Sequence, residues 1–371
     1  MKTIKKLFLF SFVAVFALGM SINADNFDFD ATTEKLPERK INTVKSKIDA
    51  GSLDWDFAIT GTPSAGATSV SFNKTDSEGG IETSYYKKDA NGYWYHYKNT
   101  YDYSYEGYRF FQVASFYYNP SKCTSTDSVS SFACSNGRVS TLDYYAGYNG
   151  SSYLEREVLK YANNASTQYT SYALYNSKKQ VIETHKQSAK SSVLTEIEYY
   201  SNGRVYMHDV YKYKGLIDNN YAGGYQNIFY NEAKSRLKVK YLFNTKSDYA
   251  YKSDYRTYHG TTTKLKTRRV YNYKGDKAGT RTAGYYTTYR TNGKKITYKR
   301  AYFKAGKWTK MVYIKYNKVG QTKSNKYGKA YKYVSTIKGK YVTKVTRAQY
   351  NKKGKLGTAK KVKITKETRT F

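Results

Sequence analysis

Proline is nearly absent from this chain. Three occur in 371 residues (Pro37, Pro63 and Pro120), so no position after 120 carries a residue that would remove a donor from a β-ladder. Only two cysteines are present, Cys123 and Cys134, which excludes a disulfide-dense scaffold and falls short of the four ligands of a structural zinc site. The four histidines, His96, His185, His208 and His259, stand at no metal-ligand spacing, and no H-E-x-x-H occurs. No glycine-rich phosphate loop of the Walker or dinucleotide type is present, so no cofactor is expected. Acidic residues are scarce: 28 Asp and Glu face 64 Lys and Arg, a formal net charge of +36.

Tyrosine is abundant instead. With 46 Tyr and 16 Phe, much of the apolar surface is aromatic and carries hydroxyls, a composition that favours strands. The expected fold class is all-β, a long antiparallel meander of hairpin repeats with one short helix near the N-terminus. Single layer, barrel and solenoid all remain compatible with this pattern.

Residues 1–24 read as a secretory signal peptide. Lys2, Lys5 and Lys6 precede an apolar run from Leu7 to Gly19, and Ala24 stands before Asp25. That run is too short to span a bilayer, which takes about 20 residues. No later run is long enough either, so the expected location is extracellular or non-covalently attached to the cell surface. In that oxidising setting Cys123 and Cys134 are expected to form a disulfide closing one hairpin loop.

Charge is segregated. Residues 25–150 hold 12 basic and 16 acidic residues, whereas from Lys266 onward 32 basic residues face only Asp276 and Glu367. The chain therefore divides into a near-neutral region, 25–150, and a strongly basic one, 151–371. A disordered polybasic tail would lack aromatics, but here Tyr recurs throughout. A segment this repulsive calls for a polyanionic partner.

The strongest internal signal is Tyr followed four positions later by Gly. It occurs at Tyr103/Gly107, Tyr199/Gly203, Tyr211/Gly215, Tyr271/Gly275, Tyr289/Gly293, Tyr302/Gly306, Tyr316/Gly320 and Tyr350/Gly354, with Lys in the glycine place at Tyr175/Lys179 and Tyr230/Lys234. Each unit reads as a strand, a turn needing one left-handed residue, and a return strand. Alternation is clean at Tyr101-Asp102-Tyr103-Ser104-Tyr105-Glu106. Residues 37–50, with Ile41, Val44 and Ile48 on one face and Gly51 beyond the end, are the expected helix. Ser152 to Ala162 fits either a helix or a strand.

The runs Tyr199-Tyr200-Ser201-Asn202-Gly203-Arg204 and Tyr289-Arg290-Thr291-Asn292-Gly293-Lys294, the second followed by Tyr302-Phe303-Lys304-Ala305-Gly306-Lys307-Trp308, resemble MORN-type repeats. They are also similar to the tyrosine-aspartate hairpin repeats of bacterial surface and toxin proteins. The likeness runs roughly from Tyr199 to Gly354 with a gap around Asp248 to Arg269, and Lys or Thr often replaces the acidic and Trp/Gly positions of those families. It implies a β-hairpin array used as a surface scaffold, with no catalytic residues to carry over.

No catalytic motif emerges, and an enzyme is not expected. Ser64 lies in a near miss of the nucleophile elbow, His208-Asp209 would point to opposite faces of a strand, and Asp54, Asp56, Asp76, Glu78 and Glu82 are the carboxylates an enzyme in the N-terminal region would use. What remains is basic residues interleaved with rings, a combination able to track a polyanion. The candidate polyanion contacts are Lys294, Lys295, Lys299, Arg300, Lys304 and Lys307, then Lys326, Lys329, Lys332, Lys338, Lys340, Lys352 and Lys353. The candidate aromatic platform is Tyr289, Tyr298, Tyr302, Trp308, Tyr316, Tyr331 and Tyr333. The expected role is a secreted, non-enzymatic envelope protein binding teichoic acid or an acidic glycan, with extracellular nucleic acid as the rival partner.

Overall fold

The computed structural model describes residues 36–38, 58–120, 123, 129, 134, 138–162, 169–217, 224–232, 236–244, 248–321, 326–339 and 341–370. The expected signal peptide lies outside these. So does most of the expected helix at 37–50, whose start is corrected: Glu38 forms an extended bridge with Tyr249.

The first ten strands are β1 (Ser69–Thr75), β2 (Ile81–Lys88), β3 (Trp94–Tyr105), β4 (Tyr108–Phe116), β5 (Val139–Tyr148), β6 (Ser152–Tyr161), β7 (Tyr169–Tyr175), β8 (Val181–Lys186), β9 (Ser191–Tyr199) and β10 (Val205–Lys214). They continue as β11 (Tyr225–Asn231), β12 (Arg236–Phe243), β13 (Lys252–Tyr258), β14 (Leu265–Tyr273), β15 (Arg281–Tyr289), β16 (Lys295–Lys304), β17 (Lys307–Asn317), β18 (Gly328–Lys338), β19 (Tyr341–Gln349) and β20 (Lys360–Lys361). Each strand pairs antiparallel with the next in sequence. Among the described residues β1 and β20 are not paired with each other, so the meander is open. The ambiguous segment at 152–162 is β6, and the helix among the described residues is the short α1 (Lys366–Arg369).

Turns fall on the repeated glycines. Gly203, Gly275, Gly293, Gly306, Gly320 and Gly354 all have φ between 72° and 83°, and Lys179 takes the same left-handed place at 59°. Gly320 and Gly328 serve a second purpose: a Cβ on Gly328 would collide with the Gly320 carbonyl, so both are needed where β17 gives way to β18. Ladder registers shift immediately before Tyr86, Tyr145, Tyr161, Tyr175, Tyr230, Tyr258, Tyr273, Tyr289 and Tyr316. A bulge at the strand end adds twist and re-aims the ring that follows it.

Alternation along these registers gives the sheet two faces. The first carries the main core, including Leu194, Tyr211, Tyr225, Val239, Tyr241, Tyr271 and Tyr313, with Leu36 packed among them. Its rings meet across strands: Tyr211 stacks on Tyr225 at 5.0 Å, and Tyr225 lies 4.8 Å from Phe243. Each such pair contributes a fraction of a kcal/mol up to about 1. Smaller clusters form around Leu142 and Tyr172, and around Tyr86 and Trp94. Cys123 and Cys134 are disulfide-bonded and close the β4–β5 connection.

Burial pushes the hydroxyl pKa of Tyr86 up to about 12, and burial followed by adjacent carboxylates raises those of Tyr144, Tyr172, Tyr211 and Tyr225. A raised pKa holds the protonated form in the fold. Its stabilisation is complete below the unfolded value of about 10 and is lost as pH rises toward the folded one, about 3 kcal/mol for a shift like that of Tyr86. Cooperative unfolding is therefore expected between about pH 10 and 12, with tyrosinate absorbance rising as far-UV circular dichroism falls. Because lysine discharge acts over the same range, the Tyr86→Phe variant isolates the effect. Its stability deficit against wild type should shrink above pH 10, and a deficit constant with pH would contradict this account.

Candidate functional site

Consecutive turns of a meander alternate between the two ends of its strands, so every second hairpin shares an end. At the end that holds the β1–β2 turn, several tips have one construction. In Tyr200–Arg204, Arg290–Lys294 and Asn351–Lys355 the first amide donates to the fifth carbonyl and the fourth amide to the first carbonyl, all at 2.7–2.9 Å. An asparagine carboxamide oxygen locks each tip, accepting from the amide of Arg204 (3.0 Å), Lys294 (3.1 Å) or Lys355 (3.0 Å).

These tips are tied to one another. The residue after the tyrosine that ends β9, β13 or β15 reaches a tyrosine carbonyl in the next hairpin at that end: Tyr200 Oη donates to Tyr230 O (2.8 Å), His259 Nε2 to Tyr289 O (2.9 Å) and Arg290 Nη2 to Tyr316 O (3.5 Å). Gln180 Nε2 also donates to Gly203 O (3.3 Å), Arg204 Nη1 to Glu232 O (3.1 Å) and Arg236 Nη1 to Gly260 O (3.0 Å). The Arg290 guanidinium then lies 4.4 Å over the Tyr327 ring. A chain of side-chain bonds thus runs along this end of the sheet from β7 to β18. Sequence reasoning found the turns but missed this chain; its signal is the donor side chain directly after Tyr199, Tyr258 and Tyr289.

Six candidate polyanion contacts stand exposed at or beside tips of this stapled end: Lys294, Lys295, Lys326, Lys329, Lys352 and Lys353. Lys304, Lys307 and Lys338 are exposed at tips of the opposite end. Lys340 lies outside the described residues. Neighbouring tips at one end are two strands apart, about 10 Å at the usual strand spacing. The stapled end is therefore a cationic rim with a regular step.

The candidate aromatic platform is divided between the faces. Tyr298 and Tyr302 share the second face with Arg300, whose guanidinium lies 4.6 Å from the Tyr302 ring and 5.4 Å from Tyr285. Lys310 and Lys295 cover Tyr302 and Tyr298 at 5.6 and 5.8 Å. Lys332 is half-buried on this face. On the first face Tyr333 stacks on Tyr313 at 5.3 Å, Arg347 covers Tyr331 at 5.2 Å, and Trp308 packs against the core. Tyr289 and Tyr316 follow ladder shifts, and their carbonyls accept the tip-to-tip bonds. All seven rings are half-buried.

Lys299 is removed from the surface set. It is buried on the first face beneath the C-terminal segment, where its Nζ donates to Thr370 O and lies 5.3 Å over the Tyr313 ring. Ser335 Oγ donates to Thr368 O at 2.8 Å and Tyr313 Oη to Glu367 at 3.3 Å, fastening α1 across β17 and β18. Burial brings the Lys299 pKa down to about 8.

Half of the twelve acidic residues after position 150 also lie on the first face: Glu155, Glu157, Glu183, Glu196, Glu198 and Asp209. Glu196 stands directly between Glu183 and Asp209. The row is held by donors: His185 bonds Glu183 at 2.7 Å, Tyr211 Oη donates to Glu196 at 3.1 Å, and both Tyr225 and Asn227 donate to Asp209. His208 faces the other way and bonds Tyr230 Oη. In the N-terminal region Asp76 locks the β1–β2 turn and accepts from Tyr101 Oη at 3.1 Å, while burial and then Asp76 raise the pKa of Glu82. Asp54 and Asp56 lie outside the described residues.

No known family matches the chain, and no curated protein matches it. Solved structures similar to it include TcdB2-TccC3-TEV, at 10% identity and a TM-score of 0.21 over 76% of this chain. The chain spans only 17% of that structure's length. A porin-like protein from Bacteroides uniformis is similar at 6% identity and a TM-score of 0.14, covering 65% of this chain and 92% of the other. These scores carry no argument about activity. What stands is the antiparallel hairpin sheet itself, with its repeat-like turns.

The depressed pKa of Lys299 has a testable sign. Below about pH 8 a buried charge is retained at a cost; from there toward the unfolded value of about 10.4 the unfolded chain binds the extra proton and stability rises with pH. Lys299→Met lacks this rise. Relative to that variant, wild type should gain about 2 kcal/mol between pH 7 and 9.5 in urea unfolding, and a pH-independent difference would refute the buried charge.

Proposed function

We propose that the chain is a secreted, non-enzymatic envelope protein whose stapled rim of basic hairpin tips holds an anionic polymer, teichoic acid or an acidic glycan. The observation that carries this reading is the placement of exposed lysines on the successive β15–β16, β17–β18 and β19–β20 tips, the first two of which are joined by a tip-to-tip hydrogen bond. A polymer laid along the rim meets a cation about every 10 Å, and many weak contacts of this kind sum to a firm attachment. The formal net charge, +36 for the whole sequence and +33 without Lys2, Lys5 and Lys6, supplies the long-range attraction. On this reading the hairpin array is a surface scaffold, in keeping with the MORN-type and tyrosine-aspartate repeats its turns resemble.

Nucleic acid is the second reading, because a polycation binds any polyanion by counterion release. The rings favour the first. A single-stranded nucleic acid gains most from open aromatic faces, and here the rings of Tyr298, Tyr302 and Tyr331 already lie under cations.

The test is a salt titration of the full chain against teichoic acid and against DNA at matched charge. Lys294→Glu/Lys326→Glu/Lys329→Glu, on the stapled rim, should lower the dependence of log K on log salt by about one per lysine that contacted the polymer. Lys304→Glu/Lys307→Glu/Lys338→Glu, on the opposite end, should lower it less. Equal effects of the two triples, or binding that survives about 1 M salt, would overturn the rim assignment.

A further inference from the structure

An open meander has two edges, and this one treats them differently. The C-terminal edge carries the usual defences against pairing: β20 is two residues long, both are lysines, Lys363 follows, and the chain then folds into α1 on the first face. Among the described residues the N-terminal edge has no such cover. β1 is seven residues long, every second residue from Ser69 is exposed, and Lys74 is its one charged residue.

The hydrogen-bond parity of β1 follows from its two ends. Lys88 N donates to Thr68 O and Asp76 N to Gly80 O, both at 2.8 Å, so the even-numbered residues face β2. Ser69, Ser71, Asn73 and Thr75 therefore aim their N–H and C=O groups away from the sheet, four donors and four acceptors in extended register.

We infer that this edge pairs with β1 of a second copy, antiparallel and about a two-fold axis through Phe72, to make one continuous sheet. Self-complementarity supports that occupant. With Phe72 opposite Phe72 of the second copy, Ser71 falls opposite Asn73 and Ser69 opposite Thr75, each pair exchanging outward backbone bonds and sharing the second face. Val70 falls opposite Lys74 on the first face, and no like charges oppose one another. Charge distribution favours the same choice. Residues 25–150 carry 16 acidic against 12 basic residues, so joining two copies at β1 keeps their basic C-terminal regions farthest apart.

The test uses the full mature chain without any polymer, so its outcome is separate from that of the rim. In sedimentation velocity up to about 100 µM, wild type should form a dimer by mass action. Ser71→Asp/Asn73→Asp places carboxylates opposite each other across the two-fold twice and should weaken the dimer at least ~10-fold. Ser71→Asp/Asn73→Lys places Asp opposite Lys at the same points and should restore it. These side chains are exposed on an edge strand, and circular dichroism of each variant checks that the sheet is retained. A monomer at the top concentration, assembly beyond the dimer, or equal dimerisation of both double variants would each overturn the proposal.

Discussion

Every strand of this sheet finds its backbone partners in the segments next to it in the sequence, and much else follows from that restriction. With no helical layer laid along the sheet among the described residues, a side chain is buried chiefly by its cross-strand and diagonal neighbours, so it must be long and flat to cover itself. Tyrosine meets the requirement and brings a hydroxyl that can end at a carboxylate, a histidine or a carbonyl, as Tyr211, Tyr169 and Tyr200 do. The pairings are also local, which keeps loop-closure costs small at each addition of a hairpin. Bulges ahead of tyrosines such as Tyr289 and Tyr316 add local twist to the twist that is intrinsic to the strands.

Electrostatics is arranged around the same restriction. Cations outnumber acids so heavily in the C-terminal region that ion pairing cannot neutralise them, and rings take over as partners: Arg281 lies 4.3 Å from Tyr271, Arg300 4.6 Å from Tyr302 and Arg290 4.4 Å from Tyr327. Where an acid does occur it is used intensively. Asp254 receives both Arg256 and Arg268, and Asp143 receives Arg156. The acids of β6 to β10 are withdrawn onto the first face among tyrosine hydroxyls, which leaves the tip lysines of the C-terminal hairpins with few competing anions.

The hairpins were legible because a left-handed turn residue is a local demand: glycine at 203, 293, 306 and 354 announces itself without regard to tertiary context. The strand at 152–161 was ambiguous because its apolar spacing satisfies both periods, and pairing with β5 and β7 decides it. Lys299 could not be told from its neighbours, since its burial depends on a segment seventy residues away that folds back over β17. The carboxylate row was hidden for a related reason. Charge counting along the chain averages Glu183, Glu196 and Asp209 into a basic background, whereas register places them side by side. The tip-to-tip bonds needed both kinds of knowledge: which residue follows the tyrosine at a strand end, and that alternate hairpins share an end.

Those bonds bear on what such a surface can recognise. A lysine on a free hairpin tip is a mobile charge whose contact with a phosphate or carboxylate is screened and worth little by itself. Fixing the carbonyls of Tyr230, Tyr289 and Tyr316 to the preceding hairpins holds the tips at a constant step, so the cost of ordering them is met in folding and not again at each contact. Affinity then grows with the number of tips a ligand spans. A short anion gains from one step only, while a polymer whose charges recur near that step gains from each. Discrimination by length, more than by chemical identity, is the selectivity that a repetitive rim of this construction provides.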